Sequence, residues 1–365
     1  MSIEPAAEFA TLHEIIKAAR NNLTQGVWDY VTGATDSETT LRRNRQALDS
    51  IALRPRVMRD VSKRSAKASF MGRDLSMPII LAPIGSLQMV HEGGAATSAK
   101  AAEIANVIHM VSSRSGPGLE ETAAAADNHR IFQLYIRGGD DFEDDHVKRA
   151  IDNGYFAFAV TVDLDYYTRR ERDHANRFVH LSRAVMAGGG MEFQAAYNWD
   201  SIKRFKDKHD IPLIMKGIGT VEDAVTAVEH GAEAVYLSNH GGRGLDSGRG
   251  AIEILRETAP EIKGKAKIIY DGGVMRGTDV VKAMILGADA VGIGRMQCLG
   301  MAAAGVPGLL RALEILDEEI HIAFGLMGVN SWDELDGSFI CDAEPVGEPH
   351  IFSQHPMVAF EPHLY

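Results

Sequence analysis

A histidine and an arginine three residues apart carry the clearest chemical signal in the sequence. The segment Ser238–Arg243 reads Ser-Asn-His-Gly-Gly-Arg, with the histidine at position 240. Histidine can accept a proton near neutral pH, and a nearby guanidinium can hold an anion beside it. A lone histidine in a strand is more often a satisfied core residue, but the flanking glycines and the arginine favour a functional role. We therefore expect proton-transfer chemistry at His240.

Two glycine-rich segments in the second half of the chain could bind a phosphate group. Asp271–Val274 reads Asp-Gly-Gly-Val, and Gly292–Arg295 reads Gly-Ile-Gly-Arg. Glycines let backbone N–H groups approach a phosphate, and Arg295 adds a positive charge. Glycines required only for turns are the alternative explanation. No Gly-x-Gly-x-x-Gly element follows an early strand with an acidic residue beyond it, so a Rossmann nicotinamide site is not expected.

Short apolar runs that alternate with helix-compatible segments must position these residues. We predict eight strands, at Pro78–Ile84, Val107–Ser112, Ile131–Tyr135, Phe156–Asp163, Pro212–Lys216, Ala234–Ser238, Lys267–Asp271 and Ala290–Gly294. Apolar residues at three- and four-residue spacing predict helices at Gly93–Ala105, Val221–His230, Thr278–Leu286, Pro307–Asp317 and Ile320–Met327. Strands that alternate with helices pair in parallel, and eight such units close into a barrel. The predicted fold is α/β, a (β/α)8 TIM barrel.

Nearly every predicted strand ends in polar residues or glycine. The end residues, in strand order, are Gly85 and Ser86, Ser112 and Arg114, Gln133 and Tyr135, Thr161 and Asp163, Lys216, Ser238 to His240, Asp271 to Gly273, and Gly294 and Arg295. The active site of such a barrel lies at the carboxyl ends of its strands, and phosphate often binds after the seventh and eighth. Solubility does not explain this series, so we expect one site at this end of the barrel.

Three regions lie outside the regular alternation, within what we interpret as a single domain of residues 1–365. Residues 1–76 are predicted to form a helical N-terminal extension with a short strand around Ile51–Arg56, and residues 77–340 form the barrel. The connection 164–211 after the fourth strand is far longer than a usual βα loop, and Gly188, Gly189 and Gly190 suggest a mobile lid. The tail, residues 341–365, lacks periodicity, so we expect it to wrap the surface or to be partly disordered.

Composition excludes several classes of function. The formal net charge is −12 and no Lys/Arg-rich block occurs, so a nucleic-acid partner is not expected. The two cysteines, Cys298 and Cys341, form neither a disulfide framework nor a zinc motif, and no metal is expected. The N-terminus shows no signal pattern, and no stretch of about 18 uncharged apolar residues occurs. We expect a cytoplasmic enzyme without a membrane span.

The chain resembles the FMN-dependent 2-hydroxy acid oxidases and dehydrogenases, the family of glycolate oxidase, lactate oxidase, mandelate dehydrogenase and the flavin domain of flavocytochrome b2. The resemblance extends from about Tyr30 to about Leu335. The motifs that carry it are Ser238–Asp246, Phe132–Tyr135, Thr161–Asp163, Arg169–Asp173 with Asn176–Phe178, and Lys216-Gly217. It implies FMN as cofactor, a 2-hydroxy carboxylate as substrate, oxygen or another electron acceptor, and a homotetramer.

The resemblance also implies a role for each site residue. The catalytic set comprises His240 as base, Asp163 as its orienting carboxylate, Arg243 and Arg170 as carboxylate-binding cations, and Tyr135 and Tyr30 as hydrogen-bond partners of the substrate oxygens. The cofactor set comprises Lys216 at the flavin N1–C2 carbonyl, Ser112, Gln133 and Thr161 at the ring edge, Gly85 behind the ring, and Ser238. Asp271 near the ribityl chain, and Gly273, Gly294 and Arg295 at the phosphate, complete it. Whether His240 takes the hydroxyl proton during hydride transfer or the α-proton is left open.

Four positions depart from the family pattern. Arg114 stands where glycolate oxidase has a tryptophan that lines the substrate side chain. If its guanidinium faces the pocket, the substrate can carry a second acidic or polar group, whereas a surface-facing or acid-paired Arg114 is the alternative. The segment Leu164–Tyr167 is unusual, and the Asp29–Gly33 run is one residue shorter than its counterpart. Met275 replaces a common phosphate-loop arginine, for which Arg276 could compensate.

Two other functions remain open on the sequence alone. The first is a sibling FMN barrel that acts on a modified peptide or an amine-bearing substrate, which the unusual Arg114 and Asp165–Tyr167 would support. The second is a non-catalytic flavin-binding protein. The joint presence of His240, Asp163, Arg243 and Arg170 argues against the second.

Overall fold

Eight parallel strands form a closed barrel in the computed structural model of the chain, which describes residues 8–180 and 190–358. Three strands precede the barrel: β1 (Ile51–Leu53), β2 (Ala68–Phe70) and β3 (Arg73–Leu75). The barrel strands are β4 (Ile79–Leu81), β5 (Ile108–Ser112), β6 (Arg130–Leu134), β7 (Ala157–Thr161), β8 (Leu213–Ile218), β9 (Ala234–Leu237), β10 (Lys267–Tyr270) and β11 (Ala290–Ile293); β12 (Ile340–Asp342) follows. Pairing of β11 with β4 closes the barrel. The predicted TIM barrel is confirmed.

Helices surround the barrel and precede it. They are α1 (Leu12–Asn22), α2 (Gln25–Thr32), α3 (Thr39–Asp49), α4 (Gly94–Ala105), α5 (Leu119–Ala125), α6 (Asp140–Asp152), α7 (Glu171–Ala175), α8 (Met191–Ala196), α9 (Trp199–Lys208), α10 (Val221–Glu229), α11 (Ala251–Ile262), α12 (Gly277–Ile285) and α13 (Arg295–Met327). The two predicted helices Pro307–Asp317 and Ile320–Met327 are parts of α13, which is kinked at Ala304 and Gly305. The first of the two predicted helices begins at Pro307, just beyond this kink.

The barrel strands are almost entirely buried because side chains pack on both of their faces. Six predicted strands run one to three residues past the observed ends, whereas β8 continues two residues beyond the prediction, to Ile218. The surplus residues include the polar Tyr135, Asp163, Ser238 and Asp271, which lie just beyond the observed strand ends. Strand interiors were therefore predicted better than strand ends.

One end of the barrel is closed by a hairpin. β2 and β3 pair in antiparallel fashion, and Phe70 and Leu75 pack against the interior residues Ile80, Ile108 and Ile131. The carboxyl ends of the strands form the opposite end. The hairpin therefore covers the apolar interior at one end of the barrel, and the polar side chains of the predicted site lie at the other end.

The segments that precede and follow the barrel in the sequence pair with each other. β1 and β12 form an antiparallel pair in which Ile51 lies opposite Asp342, so the predicted strand near Ile51–Arg56 is present but shorter. The described part of the tail packs inward, since Ile351 and Phe352 are buried. The extension and the tail are thus structural parts of the barrel's surroundings.

The long connection after β7 carries three short helices, α7, α8 and α9. Gln194 of α8 donates from Nε2 to the carbonyl oxygen of Thr161, 3.0 Å away, and accepts from the backbone N–H of Ile136 at 2.9 Å. These bonds hold α8 over the ends of β6 and β7. Gly188 and Gly189 of the predicted lid lie outside the described residues.

The last long helix is apolar enough to be considered as a membrane span by length and composition alone. The segment Arg295–Glu334 has a mean hydropathy of 1.4 in its most apolar window, but 72% of that window is buried inside the protein. A core helix of a barrel passes the same test.

In residues 8–180 and 190–358 no cluster of His, Cys, Asp and Glu could hold a metal ion.

Candidate active site

A cavity opens at the carboxyl ends of the barrel strands. Of the predicted site residues, those that line it are Tyr30, Gly85, Arg114, Tyr135, Arg170, Lys216, His240, Arg243, Asp271, Gly273, Gly294 and Arg295. Its other walls come from the extension, the long connection and the tail, through residues such as Asn44, Tyr167 and Ile351. The structure therefore brings most of the predicted residues to one place.

His240 lies between a carboxylate and a phenol. Its Nδ1 is 3.1 Å from Oδ1 of Asp163, and its Nε2 is 3.2 Å from the hydroxyl oxygen of Tyr135. Gly217 makes this approach possible, since a Cβ at that position would lie 2.4 Å from Cγ of Asp163. An ionised carboxylate only accepts hydrogen bonds, so Nδ1 carries the proton and Nε2 presents its lone pair.

The electrostatics of this pair favour a neutral imidazole beside an ionised carboxylate. Burial lowers the pKa of His240 below its ordinary value, and the nearby charge of Asp163 opposes this shift only in part. Burial by itself would raise the pKa of Asp163, but His240 and Lys216 outweigh it and hold that pKa below its usual value. The imidazole is thus ready to accept a proton.

Two arginines that line the cavity with His240 lie close to one aromatic ring. The guanidinium carbons of Arg243 and Arg170 are 4.8 and 5.6 Å from the ring centre of Tyr30. Burial, followed by the charge of Arg243, lowers the pKa of Arg170 to about 10, so it remains charged at neutral pH. The pair offers a site for a carboxylate.

Arg243 and Tyr30 also have contacts within the protein. Nη1 of Arg243 donates to the carbonyl oxygens of Tyr30 and Gly33, at 2.6 and 2.9 Å. The Tyr30 hydroxyl donates to the carbonyl oxygen of Gly85 at 2.8 Å. These carbonyls belong largely to the carboxyl end of α2, which favours cations. The extension thus fixes one wall of the site.

The predicted ring-edge residues lie inside the barrel at the strand ends. Ser112, Gln133 and Thr161 are buried and do not line the cavity directly. Nε2 of Gln133 donates to Oγ1 of Thr161 at 2.8 Å, while its buried Oε1 has no hydrogen-bond partner among the described residues. Lys216 is buried, and its ammonium group makes no hydrogen bond to the described part of the protein.

The residues after β9 and β10 form a second hydrogen-bonded cluster. Asp271 accepts from the hydroxyls of Ser238 and Tyr236, at 2.5 and 2.9 Å. Gly272 and Gly273 have φ of +125° and +82°, a region that favours glycine. A Cβ at Gly292 would lie 2.1 Å from the Tyr236 hydroxyl. Glycine is therefore required for this part of the cavity wall.

The predicted phosphate-site cations differ in where they point. Arg295 lines the cavity and donates to the carbonyl oxygens of Val31, Gly33 and Gly241. Burial lowers its pKa to about 9, so it is charged at neutral pH. Arg276 does not line the cavity.

The side chain of Arg276 turns toward the tail instead. Its Nη1 forms an ion pair of 2.6 Å with Glu319, and its Nη2 donates to the carbonyl oxygen of Gln354 at 2.8 Å. Met275 faces the cavity in its place. The suggestion that Arg276 compensates for Met275 is therefore corrected, because adjacent residues of this loop point in different directions.

Several cavity residues were not identified from the sequence. They are Arg137, His180, Met191, Cys298, Ile351, Asn44 and Arg45. Arg137 follows the end of β6 by three residues, so the rule that found Arg114 after β5 could have found it as well. Cys298 follows the predicted residue Arg295 by three positions in α13, and the other five come from the extension, the long connection and the tail, for which the sequence offers no local signal.

Comparison with known proteins gives a consistent assignment. The family model for FMN-dependent dehydrogenases matches residues 19–342. The L-lactate oxidase of Nostoc sp. is 34% identical over 354 residues, which cover 90% of this chain and 97% of that protein. A peroxisomal (S)-2-hydroxyacid oxidase of Arabidopsis thaliana is 34% identical over 345 residues, with 90% and 95% covered.

A solved structure of mandelate oxidase matches with a TM-score of 0.86 and 34% identity, covering 93% of this chain and 100% of that one. The sequence resemblance is confirmed at the level of family, cofactor and fold. The chain belongs to the FMN-dependent dehydrogenase family and is an FMN-dependent oxidoreductase.

Proposed function

We propose that the protein oxidises a 2-hydroxy carboxylate to the 2-oxo acid, with His240 as the base. The observation that carries this proposal is the placement of the His240 imidazole between Asp163 and Tyr135, beside two guanidinium groups. The relatives named L-lactate oxidase and (S)-2-hydroxyacid oxidase support the substrate class.

The residues present fit a flavin mononucleotide. The buried Oε1 of Gln133 and the ammonium of Lys216 are polar groups suited to the edge of a flat polar ring. Gly272 and Gly273 line the cavity with backbone conformations that favour glycine, and Arg295 supplies a cation for the phosphate. When bound, the flavin accepts the two electrons and the α-hydrogen of the substrate.

The protein's own residues bind the substrate and move its proton. Arg243 and Arg170 hold the substrate carboxylate. Nε2 of His240 takes the hydroxyl proton, and Asp163 stabilises the resulting imidazolium through Nδ1. Tyr135 hydrogen-bonds the substrate oxygen beside Nε2, which fixes the direction of proton transfer.

We further propose that oxygen is the electron acceptor, because the relatives are oxidases by name. A homotetramer in the cytoplasm remains a proposal from the family resemblance and the sequence. Light scattering on the purified FMN-bound protein tests the assembly, and a species other than a tetramer would refute it. Fractionation of cells that produce the protein tests the location.

Anaerobic reduction of the bound flavin tests the reaction. The FMN-bound protein is mixed with a panel of monocarboxylic and dicarboxylic 2-hydroxy acids, and flavin absorbance is followed. Bleaching by members of the panel is expected, and no bleaching by any of them would overturn the proposed oxidation. Air is then admitted: rapid recovery of colour with peroxide release supports oxygen as acceptor, and a persistently bleached protein refutes it.

A further inference from the structure

Tyr236 places a hydroxyl among the apolar side chains inside the barrel. Its side chain is fully buried and packs in one cluster with interior residues such as Ile80, Ile214 and Ile269. Burying a hydroxyl costs free energy unless the hydroxyl is hydrogen-bonded, whereas an apolar residue would fill the same space without that cost. Packing alone therefore does not explain a tyrosine at this position.

The barrel wall has no side chain at the place where this hydroxyl lies. Gly292 belongs to β11, two strands away from β9, and a Cβ there would lie 2.1 Å from the hydroxyl oxygen of Tyr236. The φ of Gly292 is not positive, so backbone conformation does not require glycine. The space that the phenol occupies explains why this buried strand has a glycine.

The hydroxyl of Tyr236 reaches a carboxylate that lines the cavity. It donates to Oδ2 of Asp271 at 2.9 Å, and Oγ of Ser238 donates to Oδ1 at 2.5 Å. The same Oγ accepts from the backbone N–H of His240 at 3.0 Å. Burial and the charge of Asp271 raise the pKa of Tyr236 well above its usual value, so the phenol stays protonated and remains a donor. Both oxygens of Asp271 are thus held by donors from β9 and its end.

The ring of Tyr236 contacts a second group that lines the cavity, the ammonium of Lys216. The two residues are paired between β8 and β9, and the ammonium nitrogen lies 5.0 Å from the ring centre. A cation within about 6 Å of an aromatic ring centre is attracted to the ring face. Lys216 forms no ion pair or hydrogen bond with residues 8–180 and 190–358, although its charge acts on Asp163 and His240. The ring face therefore contributes to holding the ammonium at the cavity.

We propose that Tyr236 is a positioning residue for the flavin site, whose ring holds the Lys216 ammonium and whose hydroxyl holds the Asp271 carboxylate. This inference rests on the proposed placement of the flavin beside Lys216 and Asp271, and it does not depend on the substrate. A positive charge beside the flavin favours the reduced form, which carries more negative charge, so the position of Lys216 affects the reduction potential. The position of Asp271, at the proposed ribityl contact, affects the affinity for FMN.

The reduction potential of the bound flavin tests the role of the ring. It is measured by anaerobic titration with dithionite in the presence of a reference dye. In K216M and in Y236M, the equilibrium constant for two-electron reduction should fall at least ~10-fold, about 30 mV, because the charge is lost or misplaced. In the double variant K216M/Y236M, the Tyr236 substitution should add less than ~3-fold, since Tyr236 acts through Lys216.

The outcomes of this titration separate the inference from the flavin placement. A lowered potential in K216M with a wild-type potential in Y236M would refute the inference and leave the placement standing. An equally large effect of Y236M with and without Lys216 would also refute it, because a general disturbance of the barrel gives that result. An unchanged potential in K216M would refute both the placement and the inference.

Y236F separates the hydroxyl from the ring. Phenylalanine keeps the aromatic face at Lys216 but leaves one oxygen of Asp271 without its donor, and the small change keeps the test decisive if Y236M does not fold. The potential should stay near that of the wild type, whereas the dissociation constant of FMN, measured by flavin fluorescence on reconstitution, should rise at least ~3-fold. An unchanged dissociation constant, or a potential as low as that of K216M, would overturn the assignment.

Y155F is the matched control for the loss of a buried hydroxyl. The Tyr155 hydroxyl donates to the carbonyl oxygen of Leu119 at 2.8 Å, and Tyr155 does not line the cavity. Its potential and its FMN affinity should equal those of the wild type, and a change as large as in Y236F would refute a specific role for Tyr236. None of these measurements uses a 2-hydroxy acid, so they decide the inference even if no such acid reduces the flavin.

Discussion

The two ring nitrogens of His240 have different neighbours, and this difference gives the residue its direction. Nδ1 faces Asp163 and Nε2 faces Tyr135 at the cavity. His240 itself has φ of +57°, and the adjacent glycines accommodate the tight turn that holds it there. The position of the imidazole is thus set by backbone conformation as well as by its carboxylate partner.

His240→Gln is expected to slow flavin reduction by at least ~100-fold, because glutamine cannot accept the substrate proton. The variant should remain yellow, since the glutamine leaves the proposed flavin contacts in place. Stopped-flow reduction and the absorbance of the purified protein measure the two properties. His321→Gln, which lies outside the cavity lining, is the control. A reduction rate within tenfold of wild type in H240Q would contradict the assigned role.

The lowered pKa of His240 predicts the acid side of the pH profile. An ordinary histidine is half protonated at pH 6.5, whereas the buried imidazole stays neutral to lower pH. The kcat/KM for flavin reduction at pH 6.5 should therefore remain close to its value at about pH 8 and fall only in more acidic solution. A loss that is already half complete at or above pH 6.5 would show that the pKa is not lowered.

At the scale of elements, α3 connects the extension to the loops after β9 and β10. Asn44 accepts from the backbone N–H of Ala251 and exchanges hydrogen bonds with Asn239, while Arg45 donates to the Gly273 carbonyl at 2.5 Å and to Asp279 at 2.8 Å. The N-terminal extension therefore supports the proposed phosphate loop. Its removal would affect the site as well as stability.

Arg45→Met is expected to lower stability by about 3–5 kcal/mol, because Asp279 would be left as a buried unpaired charge. The affinity for FMN should also fall, since the Gly273 carbonyl loses its donor. Thermal unfolding and flavin fluorescence measure both effects. Arg249→Met removes a half-exposed ion pair with Glu257 and should cause a much smaller loss. Equal melting temperatures for the two variants would refute the expectation.

At the scale of the whole molecule, buried neutral histidines link stability to pH. His109, inside the barrel wall, has its pKa lowered to about 3 by burial, and His355 of the tail has its pKa lowered to about 2, mainly by burial. Both must stay neutral in the folded state. Their contribution to stability is complete above pH 6.5 and is lost as the pH falls toward the folded-state pKa.

His109→Leu should therefore lose less stability than wild type on acidification. Each such histidine costs about 1.4 kcal/mol per pH unit below 6.5, or about 2 kcal/mol at about pH 5. Urea unfolding at about pH 7.5 and pH 5 measures the difference. His321→Leu controls for the loss of a histidine as such. An identical acid-induced loss in wild type and H109L would contradict the prediction.

The sequence by itself determined the barrel and which polar residues lie at the carboxyl ends of its strands. Parallel strands alternate with helices, so their carboxyl ends lie at one end of the barrel. Asp163, Lys216 and His240 lie near or just beyond the ends of strands that local periodicity predicts. No long-range information was needed for these positions. The family motifs then added the roles that geometry alone does not name.

The tertiary structure decided which side chains face the cavity and which distant segments complete it. Met275 faces inward while Arg276 turns to Glu319, and Arg45 and Ile351 reach the same cavity from opposite ends of the chain. Arg114 and Arg137 line the same cavity because they follow β5 and β6, which are neighbours in the barrel. Side-chain direction in irregular loops and contacts between remote segments depend on packing over the whole molecule, which local sequence patterns do not encode.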